Sequence, residues 1–343
     1  MRCFLSVVLS AAIAAAACSG GERPSPSLIQ RSQLTMGSEL QLTAYASDRV
    51  AALDAFEEVF DEFDRLDAMM TVWRDTSEIQ RVNAAAGTSP VAVSPEVREV
   101  LHLARQASEA TDGKFDVTFA ALSDIWRFDH DRDGRIPGAG EIAQRLPLVN
   151  YEAVQVDDAA GTVFISTPGV RVNLGGIGKG YAVDRAVALL RARGLRDFMV
   201  QSGGDMYVAG TRGDRPWRLG VQDPRGPAGK TFAEIELSDS TFSTSGDYER
   251  AFLRDGRRYH HIIDPDIGQP AGLSRSVTIV AASAAVADAL STGVFILGPE
   301  KGMALIERLP GVEGLIVSAA NEVTVSSGLK ARLALQAPPT DGP

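Results

Sequence analysis

Residues 172–210 have the sequence VNLGGIGKGYAVDRAVALLRARGLRDFMVQSGGDMYVAG, in which a helical pattern gives way to two strand patterns. The glycines lead into an amphipathic helix, for which Arg191, Arg193 and Gly194 form a favourable C-terminus. The runs FMVQSG and MYVAG that follow are short and β-like. Since no second helix separates these runs, regular alternation of strand and helix is broken. We expect an α+β fold with largely antiparallel sheets flanked by helices.

The patterns toward the N-terminus agree with this fold class. Residues 39–46 (ELQLTAYA) alternate in polarity as a strand does, and residues 50–70 place apolar side chains on one helical face. Ser94 and Pro95 begin another helix, which is expected to run to about Gly113.

The C-terminal half contains mainly short runs with strand character. They are WRLGVQD, AEIELSD, TFSTSG, RYHHIID and SVTIVAA. One more short helix, over about residues 283–291, is expected before the apolar run GVFILG.

Length and charge limit the function classes. The chain has 343 residues, of which 45% are hydrophobic, so it can bury one large core or two ordinary ones. Lys and Arg number 34 against 44 Asp and Glu, a formal net charge of −10. Since no basic stripe interleaved with aromatic residues is visible, nucleic acid is not expected as a partner.

The N-terminus, over residues 1–18, has the pattern of a secretory signal peptide. One basic residue precedes an apolar run from Phe4 to Ala17, which is shorter than the roughly 20 residues that a membrane-spanning helix needs. Small residues directly before Cys18 resemble a bacterial lipoprotein signal, in which Cys18 becomes the lipidated N-terminus. Plain cleavage after an A-x-A site is the alternative. Cys3 is the only other cysteine, so no disulfide is expected in the mature chain.

Composition also suggests where the folded domain begins and ends. Residues 19–32 are polar and rich in Gly, Ser and Pro, and are expected to form a flexible tether. Residues 331–343 end in APPTDGP and are expected to be a frayed tail. The folded domain is therefore expected over residues 33–330.

Residues 129–141, DHDRDGRIPGAGE, are similar to a calcium-binding loop of the EF-hand kind. The three aspartates and Gly134 fit the pattern, but Gly140 stands where the pattern requires a bidentate glutamate. Pro137, Gly138 and Gly140 also lie in the second half of the segment, after which the pattern requires a helix to begin. We therefore expect a solvated acidic turn and not a calcium site.

The glycine run at residues 173–184 allows two interpretations. It is not a P-loop, since Asn173 stands at the first glycine position and Gly180 follows Lys179. Glycines before a helix still expose backbone N–H groups at its positive end, which suits a phosphate. A tight turn that needs glycine for its backbone geometry explains the run equally well.

Two further segments contain candidate site residues. In ADALSTG, Asp288 and Thr292 lie four residues apart on one helical face, and their oxygens form a minimal site for a hard cation such as Mg²⁺. The alternative is that Thr292 bonds to its own helix backbone. In RYHHIID, His260 and His261 point to opposite faces of an extended strand, and one of them is a candidate base near neutral pH. The simpler alternative is one exposed and one packed histidine.

Eight motifs, in their order along the chain, resemble those of the ApbE-type FAD:protein FMN transferases. They are MGSELQLTAY, SEIQRVNAAAG, DGKFDVT, VNLGGIGKGYAVDRA, SGGDMYVAG, STSGDYER, YHHIIDPDIGQP and ADALSTGVFILG. The resemblance covers about residues 33–320. It implies an ApbE-like, T-fold-related architecture of two interleaved α/β lobes. It also implies a lipid-anchored protein on the periplasmic side of a bacterial membrane, or a soluble periplasmic one if Cys18 is not lipidated.

The resemblance further implies a reaction. An enzyme of this kind binds FAD with Mg²⁺, moves the FMN half onto a threonine hydroxyl of a target protein, and releases AMP. The expected partner is a membrane redox-complex subunit with an acceptor motif that contains Ser/Thr-Gly. Two alternatives are FAD hydrolysis to FMN and AMP, and flavin binding by a lipoprotein without catalysis.

The resemblance assigns residues by matching position. For the flavin and adenosine parts of FAD, the matching residues are Met36, Trp73, Lys114, Phe115, Asp116, Asn173, Lys179 and Ile263. For Mg²⁺ they are Asp288, Thr292 and a backbone carbonyl of the glycine loop, that of Gly176 or alternatively Gly178. His261 matches the base that activates the acceptor hydroxyl, and Asp288 is also assigned to catalysis. The chain departs from the usual residues at Ser38 (threonine), Trp73 (tyrosine), Asn173 (aspartate) and Gly178 (alanine).

Overall fold

The computed structural model describes residues 25–129 and 132–342 of the chain. Its α-helices are α1 Arg49–Met70, α2 Glu78–Ala84, α3 Pro95–Ala110, α4 Ala139–Arg145, α5 Gly178–Ala192 and α6 Ala284–Arg308. Short 3₁₀ helices occur at Val117–Leu122, Leu146–Leu148, Tyr151–Ala153 and Lys330–Arg332. Within the described ranges, no helix combines the length and the apolar character that crossing a membrane requires.

The strands are mostly short. In chain order they are β1 Ser27–Thr35, β2 Ser38–Ala46, β3 Val91–Ala92, β4 Val154–Asp157, β5 Thr162–Ile165, β6 Phe198–Ser202, β7 Asp205–Ala209, β8 Trp217–Gln222, β9 Thr231–Leu237, β10 Ser240–Gly246, β11 Ala251–Arg254, β12 Arg257–His260, β13 Ile263–Asp264, β14 Gln269–Pro270, β15 Ser274–Ala281, β16 Glu313–Ser318, β17 Val323–Val325 and β18 Leu333–Leu335. Eight of them form one antiparallel sheet in the order β1-β2-β6-β7-β10-β15-β16-β17.

The large sheet is covered on both faces. Alternate residues of β7 separate the two sides: Tyr207 and Ala209 pack with α1 and α5, whereas Val208 packs against the small sheet β8-β9-β18. Helix α6 covers β10, β15 and β16 on the helical side. Strand β15 is buried at every position, as expected for a strand enclosed on both faces. The predicted α+β class with antiparallel sheets is confirmed.

Local signals explain the three helices that the sequence predicted well. Asp48 caps α1, accepting a hydrogen bond from Ala51 N at 3.0 Å, and Ser94 caps α3 ahead of Pro95. Helix α5 begins at Gly178, inside the glycine run. Each helix buries one stripe of side chains in the same core.

Helix α6 is longer than the sequence suggested. The prediction ended it near residue 291, but the apolar residues that follow continue it to Arg308, with a break at Gly298 (φ 79°) before Pro299. Val294 and Phe295 are buried, because α6 is enclosed between the large sheet and α3. The first half of α6 is buried nearly all round, so no change of polarity marks an end near residue 291, whereas Glu300, Lys301, Glu307 and Arg308 toward its C-terminus are exposed.

Two predicted boundaries are wrong. Residues 27–32 belong to β1, which pairs along its whole length with β2, so the tether expected over residues 19–32 extends too far. In the expected tail, β18 pairs with β9, and Thr340 N donates to both carboxylate oxygens of Asp223 at 3.0 and 3.1 Å. The sequence pattern missed both segments because β1 buries only Ile29 and Thr35 and β18 buries none of its three residues, so neither strand shows a buried alternating face. The predicted signal peptide and Cys18 lie outside the described residues.

Candidate active site

A cleft of about 840 Å³ collects the predicted site residues from distant parts of the chain. Its volume lies within the range of roughly 300–1,000 Å³ that is typical of small-molecule sites. Its lining includes Met36, Trp73, Lys114, Phe115, Asp116, Asn173, Gly176, Gly178, Lys179, His261, Ile263, Asp288 and Thr292. The residues that the sequence assigned to flavin, metal and catalysis therefore share one cavity, while their individual roles stay predictions.

Two carboxylates and one ammonium form a buried charged group in the cleft. Lys179 Nζ lies 2.7 Å from Asp205 Oδ2 and 3.6 Å from Asp288 Oδ2. Asp205 and Asp288 are only 3% and 4% exposed. Because two buried carboxylates share one cation when both are ionised, the group then carries a net negative charge that a bound cation would neutralise.

The protonation states follow from this arrangement. Burial and repulsion by Asp205 raise the pKa of the Asp288 carboxyl to about 7. Burial alone would lower the pKa of the Lys179 ammonium, but the charges of Asp205 and Asp288 raise it above its ordinary value. At neutral pH Lys179 is thus a cation, and Asp288 is an acid that a bound cation would drive to its charged form.

The backbone of Gly180 holds the Asp288 carboxylate in place. Its N–H donates to Asp288 Oδ2 at 3.0 Å. A Cβ on Gly180 would lie 2.3 Å from the carbonyl oxygen of Ala284, so α5 and α6 cross at a distance that requires glycine. The hydrogen bond and the Lys179 contact both use Oδ2, so Oδ1 keeps its lone pairs for a cation.

Replacing Gly180 with alanine is expected to destabilise the protein by roughly 1–3 kcal/mol, because the added methyl overlaps Ala284 and forces the helices apart. Gly178→Ala is the matched control, since its Cβ meets nothing closer than 3.9 Å. Urea unfolding of both variants measures the difference. Equal midpoints would contradict the close crossing of α5 and α6.

The glycine run serves as a tight turn more than as a phosphate cradle. Gly178 N donates to Leu174 O at 2.7 Å, and Gly180 N is bonded to Asp288. Asn173 Oδ1 accepts from Gly175 N at 2.8 Å and holds the start of the loop. Two of the first three amides of α5 therefore already have acceptors, which favours the structural interpretation of this run.

Thr292 lies one helical turn beyond Asp288 and faces strand β10. Its Oγ1 lies 3.2 Å from Ser245 Oγ, which is itself 2.7 Å from Ser291 Oγ. A Cβ on Gly176 would lie 3.9 Å from Thr292 Oγ1, so the glycine loop passes beside this hydroxyl. The contact with Ser245 shows that Thr292 turns toward the cleft, against the alternative of a bond to its own helix.

These oxygens suit a hard cation. Asp288, Thr292 and Gly176 offer a carboxylate, a hydroxyl and a backbone carbonyl, and Mg²⁺ prefers oxygen ligands with water and substrate phosphates completing its shell. Among the residues that the structure describes, no group of three or more His, Cys, Asp or Glu side chains could hold a metal ion. In the set that the sequence assigns to Mg²⁺, Asp288 is the only carboxylate and the other two ligands are neutral oxygens.

The two adjacent histidines have different surroundings. His260 is buried, with Nε2 2.8 Å from Ala271 O and its ring edge against Phe295. His261 lines the cleft, and its backbone N donates to Arg250 O at 3.1 Å. Burial and the charge of Arg250 hold the pKa of His261 well below its usual value. His261 is therefore neutral at pH 7 and able to accept a proton.

The segment after α3 is held rigidly at the cleft wall. Lys114 Nζ donates to Asp264 Oδ1 and Asp266 Oδ2, each at 2.7 Å. Asp116 accepts from Thr118 N and Oγ1 at 2.7 and 2.6 Å, and from Tyr151 N at 3.0 Å. The carboxylate of Asp116 thus has a structural role that its sequence assignment did not include.

The mouth of the cleft carries an exposed aromatic ring. Trp73 follows the end of α1 and is 58% exposed, and Met36 lies on the β1–β2 turn with φ 48°. A flat indole at the rim of a cavity offers a stacking surface to a planar ligand.

The acidic segment at residues 129–141 is tied to arginines. Asp129 pairs with Arg250, and Asp133 Oδ2 lies 3.5 Å from Arg127 Nη1. Asp131 lies outside the described residues. The aspartates that are described are therefore partly neutralised by the protein, whereas the sequence suggested that solvent alone surrounds them.

Sequence patterns did not identify Asp205 or Ser245, although both lie in motifs of the resemblance. Asp205 follows Gly203 and Gly204 at the start of β7, and its Oδ1 accepts from Ser243 Oγ at 2.8 Å. An acid at the start of an apolar strand is rarely buried without a partner, and this is the signal that could have marked it. Its partner Lys179 comes from a different element, which no local pattern reveals.

The chain is similar to known flavin transferases over most of its length. The ApbE family model matches residues 36–316. The FAD:protein FMN transferase of Treponema pallidum is 33% identical over 319 residues, which cover 88% of this chain and 88% of that protein.

Two solved structures share the fold. The ApbE protein from Thermotoga maritima has a TM-score of 0.82 and 31% identity, covering 89% of this chain and 99% of that one. The flavin transferase ApbE from Vibrio cholerae has a TM-score of 0.80 and 28% identity, covering 90% and 99%. Since the family model spans most of the sequence and includes the cleft, the chain belongs to the ApbE family.

Proposed function

We propose that this protein is an FAD:protein FMN transferase that uses Mg²⁺, moves FMN from FAD onto a threonine hydroxyl of a target protein and releases AMP. Family membership and the relatives support the transfer of FMN from FAD to a protein. One observation carries the proposal for this cleft: the Asp288 carboxylate lies 3.6 Å from Lys179 Nζ and shares one cavity with Thr292, Gly176 and the neutral His261.

The reaction balances with these groups alone. The acceptor oxygen forms a bond to the phosphorus of the FMN half, and the bond from that phosphorus to the oxygen bridging it to AMP breaks. His261 takes the proton of the acceptor hydroxyl, and AMP leaves with the electron pair of the broken bond. The positive charge of Lys179 stabilises the negative charge that develops on the pyrophosphate.

Asp288, Thr292 and the carbonyl of Gly176, with Gly178 as the alternative, would hold the Mg²⁺ ion. When bound, the ion supplies positive charge that polarises the pyrophosphate. Asp205 keeps Lys179 directed at Asp288, and Gly180 fixes the carboxylate through its N–H. Phe115 and Ile263, both buried, add apolar side chains to the wall of the same cavity.

Partner and location extend this proposal. The acceptor is a membrane redox-complex subunit with a Ser/Thr-Gly-containing motif, and the enzyme is anchored at the periplasmic side of the membrane through lipidated Cys18. The N-terminal sequence supports the anchor, and cleavage without lipidation would leave a soluble periplasmic protein. Metabolic labelling with a radioactive fatty acid separates the two: label on the wild type and none on Cys18→Ser supports the anchor.

The activity is tested by incubating the full protein with FAD, Mg²⁺ and a periplasmic redox subunit from the same cell. In-gel flavin fluorescence on that subunit, lost when EDTA removes the cation, supports Mg²⁺-dependent transfer. Free FMN without a labelled subunit would indicate FAD hydrolysis. Unchanged FAD would indicate a flavin-binding protein without catalysis.

Trp73→Ala is expected to raise the Kd for FAD about tenfold, because stacking of a planar ring on an aromatic side chain contributes roughly 1–3 kcal/mol. Trp73→Phe keeps a ring and is expected to retain most of the affinity. Titration of FAD fluorescence measures both variants. Unchanged affinity of the alanine variant would exclude stacking at the cleft mouth.

A further inference from the structure

Three hydroxyl groups form a row that runs from the cleft wall to the backbone of the helix that carries Asp288. Thr292 Oγ1 lies 3.2 Å from Ser245 Oγ, and Ser245 Oγ lies 2.7 Å from Ser291 Oγ. Ser291 Oγ then donates to the backbone carbonyl oxygen of Asp288 at 2.8 Å. Since Ser245 belongs to β10 and the other residues to α6, the row joins these two elements.

The number of hydrogens in this row fixes the direction of each bond. A hydroxyl has one hydrogen and two lone pairs, whereas a carbonyl oxygen only accepts. The hydrogen of Ser291 is used on the Asp288 carbonyl, so the contact of 2.7 Å between Ser245 and Ser291 uses the hydrogen of Ser245. The contact between Thr292 and Ser245 therefore uses the hydrogen of Thr292. Thr292 is the donor at the start of the row.

The opposite direction would leave one contact without a hydrogen. If Ser245 donated to Thr292, the oxygens of Ser245 and Ser291 would face each other at 2.7 Å with lone pairs only, because Ser291 already donates to its own helix. Ser291 is 1% exposed and lies outside the cleft lining, so solvent cannot readily replace Ser245 as its partner. The bond from Ser291 back to the preceding helical turn thus sets the direction of the whole row.

The direction of the row decides what the Thr292 hydroxyl offers to the cleft. Because its hydrogen is donated to Ser245, its lone pairs remain available to a ligand of the cleft that Thr292 lines. A hydroxyl oxygen that binds a cation must direct its hydrogen away from the ion. The row therefore prepares Thr292 as a neutral oxygen ligand, one helical turn from the Asp288 carboxylate.

We propose that Ser245 and Ser291 are positioning residues for the Mg²⁺ site, because they hold the hydroxyl of Thr292 in the orientation that a cation requires. This inference rests on the proposed function, which assigns Thr292 to the ion, and adds two residues that act through it. Ser291 lies outside the cleft lining, so it acts only through its neighbours. Removal of a partner that orients a metal ligand typically weakens metal binding about 10–100-fold.

The alternative is that the row serves only to join β10 to α6. Loss of a hydroxyl would then lower the stability of the fold and leave metal binding unchanged. Ser108 provides a matched comparison, since it is 0% exposed and its Oγ donates to Ala104 O of α3 at 2.9 Å. Ser108→Ala therefore removes the same kind of buried bond to a helix carbonyl, outside the row and outside the cleft lining.

The test measures binding of Mn²⁺ to the full protein with FAD present and the acceptor omitted, from the electron paramagnetic resonance signal of the free ion. Mn²⁺ is the probe because the same oxygen ligands suit it and Mg²⁺. Ser291→Ala is expected to raise the Kd for Mn²⁺ about tenfold, the lower end of the range for such partners. Ser108→Ala is expected to leave this Kd unchanged, although both variants lower the thermal midpoint.

Ser245→Ala gives a second measurement, which does not depend on the folding of Ser291→Ala. It removes the acceptor of the Thr292 hydrogen and is expected to raise the Kd for Mn²⁺ at least as much. Since both substitutions interrupt one row, the double variant should bind Mn²⁺ no more weakly than Ser245→Ala. In flavin transfer, Ser291→Ala should need more Mg²⁺ for half activity and regain the wild-type kcat at saturating Mg²⁺.

The outcomes separate this proposal from the transferase function. Weaker Mn²⁺ binding by the variants of the row, with normal binding by Ser108→Ala, supports the positioning role whether or not the protein transfers flavin. A wild-type protein that binds Mn²⁺ but transfers no flavin would overturn the transferase function alone. Unchanged Mn²⁺ binding by either variant of the row overturns the positioning role, as does an equal loss in Ser108→Ala or a wild-type protein that binds no Mn²⁺.

Discussion

Replacing Asp288 with asparagine will reduce FMN transfer at least about 10²-fold, the size of effect seen when one preorganised electrostatic contact is removed from an active site. The amide keeps the shape of the carboxylate and an oxygen for Gly180 N, but it offers no charge to a cation. Lys179 then retains only Asp205 as its anionic partner in this group. The loss therefore reports on cation binding and charge stabilisation.

This loss should occur without destabilising the fold. Burial and Asp205 raise the pKa of Asp288 to about 7, above the ordinary value of 3.8, so the folded protein favours the uncharged form. Asparagine is uncharged at every pH, and the thermal midpoint without Mg²⁺ at pH 8 should not fall. Asp124→Asn is the control, an acid of the same cleft that pairs with Arg145 and Arg171. Full transfer by Asp288→Asn would contradict the assignment.

Replacing His261 with glutamine will lower kcat roughly 10²–10⁴-fold, the range for loss of a general base. FAD binding should persist, because the proposed contribution of His261 is to the acceptor hydroxyl. His260→Gln is the comparison at the neighbouring position. Because His260 is buried against Phe295, this substitution is expected to lower the free energy of unfolding and to leave the rate of FMN transfer nearly unchanged. Single-turnover measurement with saturating acceptor separates these effects.

The pH dependence gives an independent check. Since the pKa of His261 is well below its usual value, the neutral base is present from pH 8 down to below pH 6.5, and kcat at saturating Mg²⁺ should remain level across that range. Asp288 titrates near pH 7, so protons compete with the cation and the Mg²⁺ concentration needed for half activity should rise as pH falls below 7. A Mg²⁺ requirement that does not change between pH 8 and pH 6 would contradict this assignment of Asp288.

Local patterns in the sequence predicted those parts of the site that lie within one element. Asp288 and Thr292 are four residues apart, and helical geometry alone puts them on one face. The charged group around Lys179 is different, because Asp205 comes from β7 and Lys179 from α5. Only the topology of the large sheet brings these elements together, and no local pattern reports it.

The secondary structure shows the same difference between elements with a clear local pattern and elements that depend on a neighbouring strand. Helix α1 was predictable because its apolar stripe alternates with acids, and its start is marked by Asp48. Strand β1 was missed because Ile29 is one of only two buried residues among its nine, with Thr35 at its end. Strand β18 buries none of its three residues. Both strands are held by pairing with a neighbour, and with so few buried residues they show no alternating pattern to detect.

The most direct measurement of the central claim is a single-turnover reaction with Mg²⁺, FAD and the purified acceptor subunit, analysed by intact-protein mass spectrometry and nucleotide chromatography. The account predicts an acceptor heavier by one FMN moiety, one AMP released for each acceptor modified, and neither product with Asp288→Asn. FMN and AMP released in equal amounts with an acceptor of unchanged mass would contradict it.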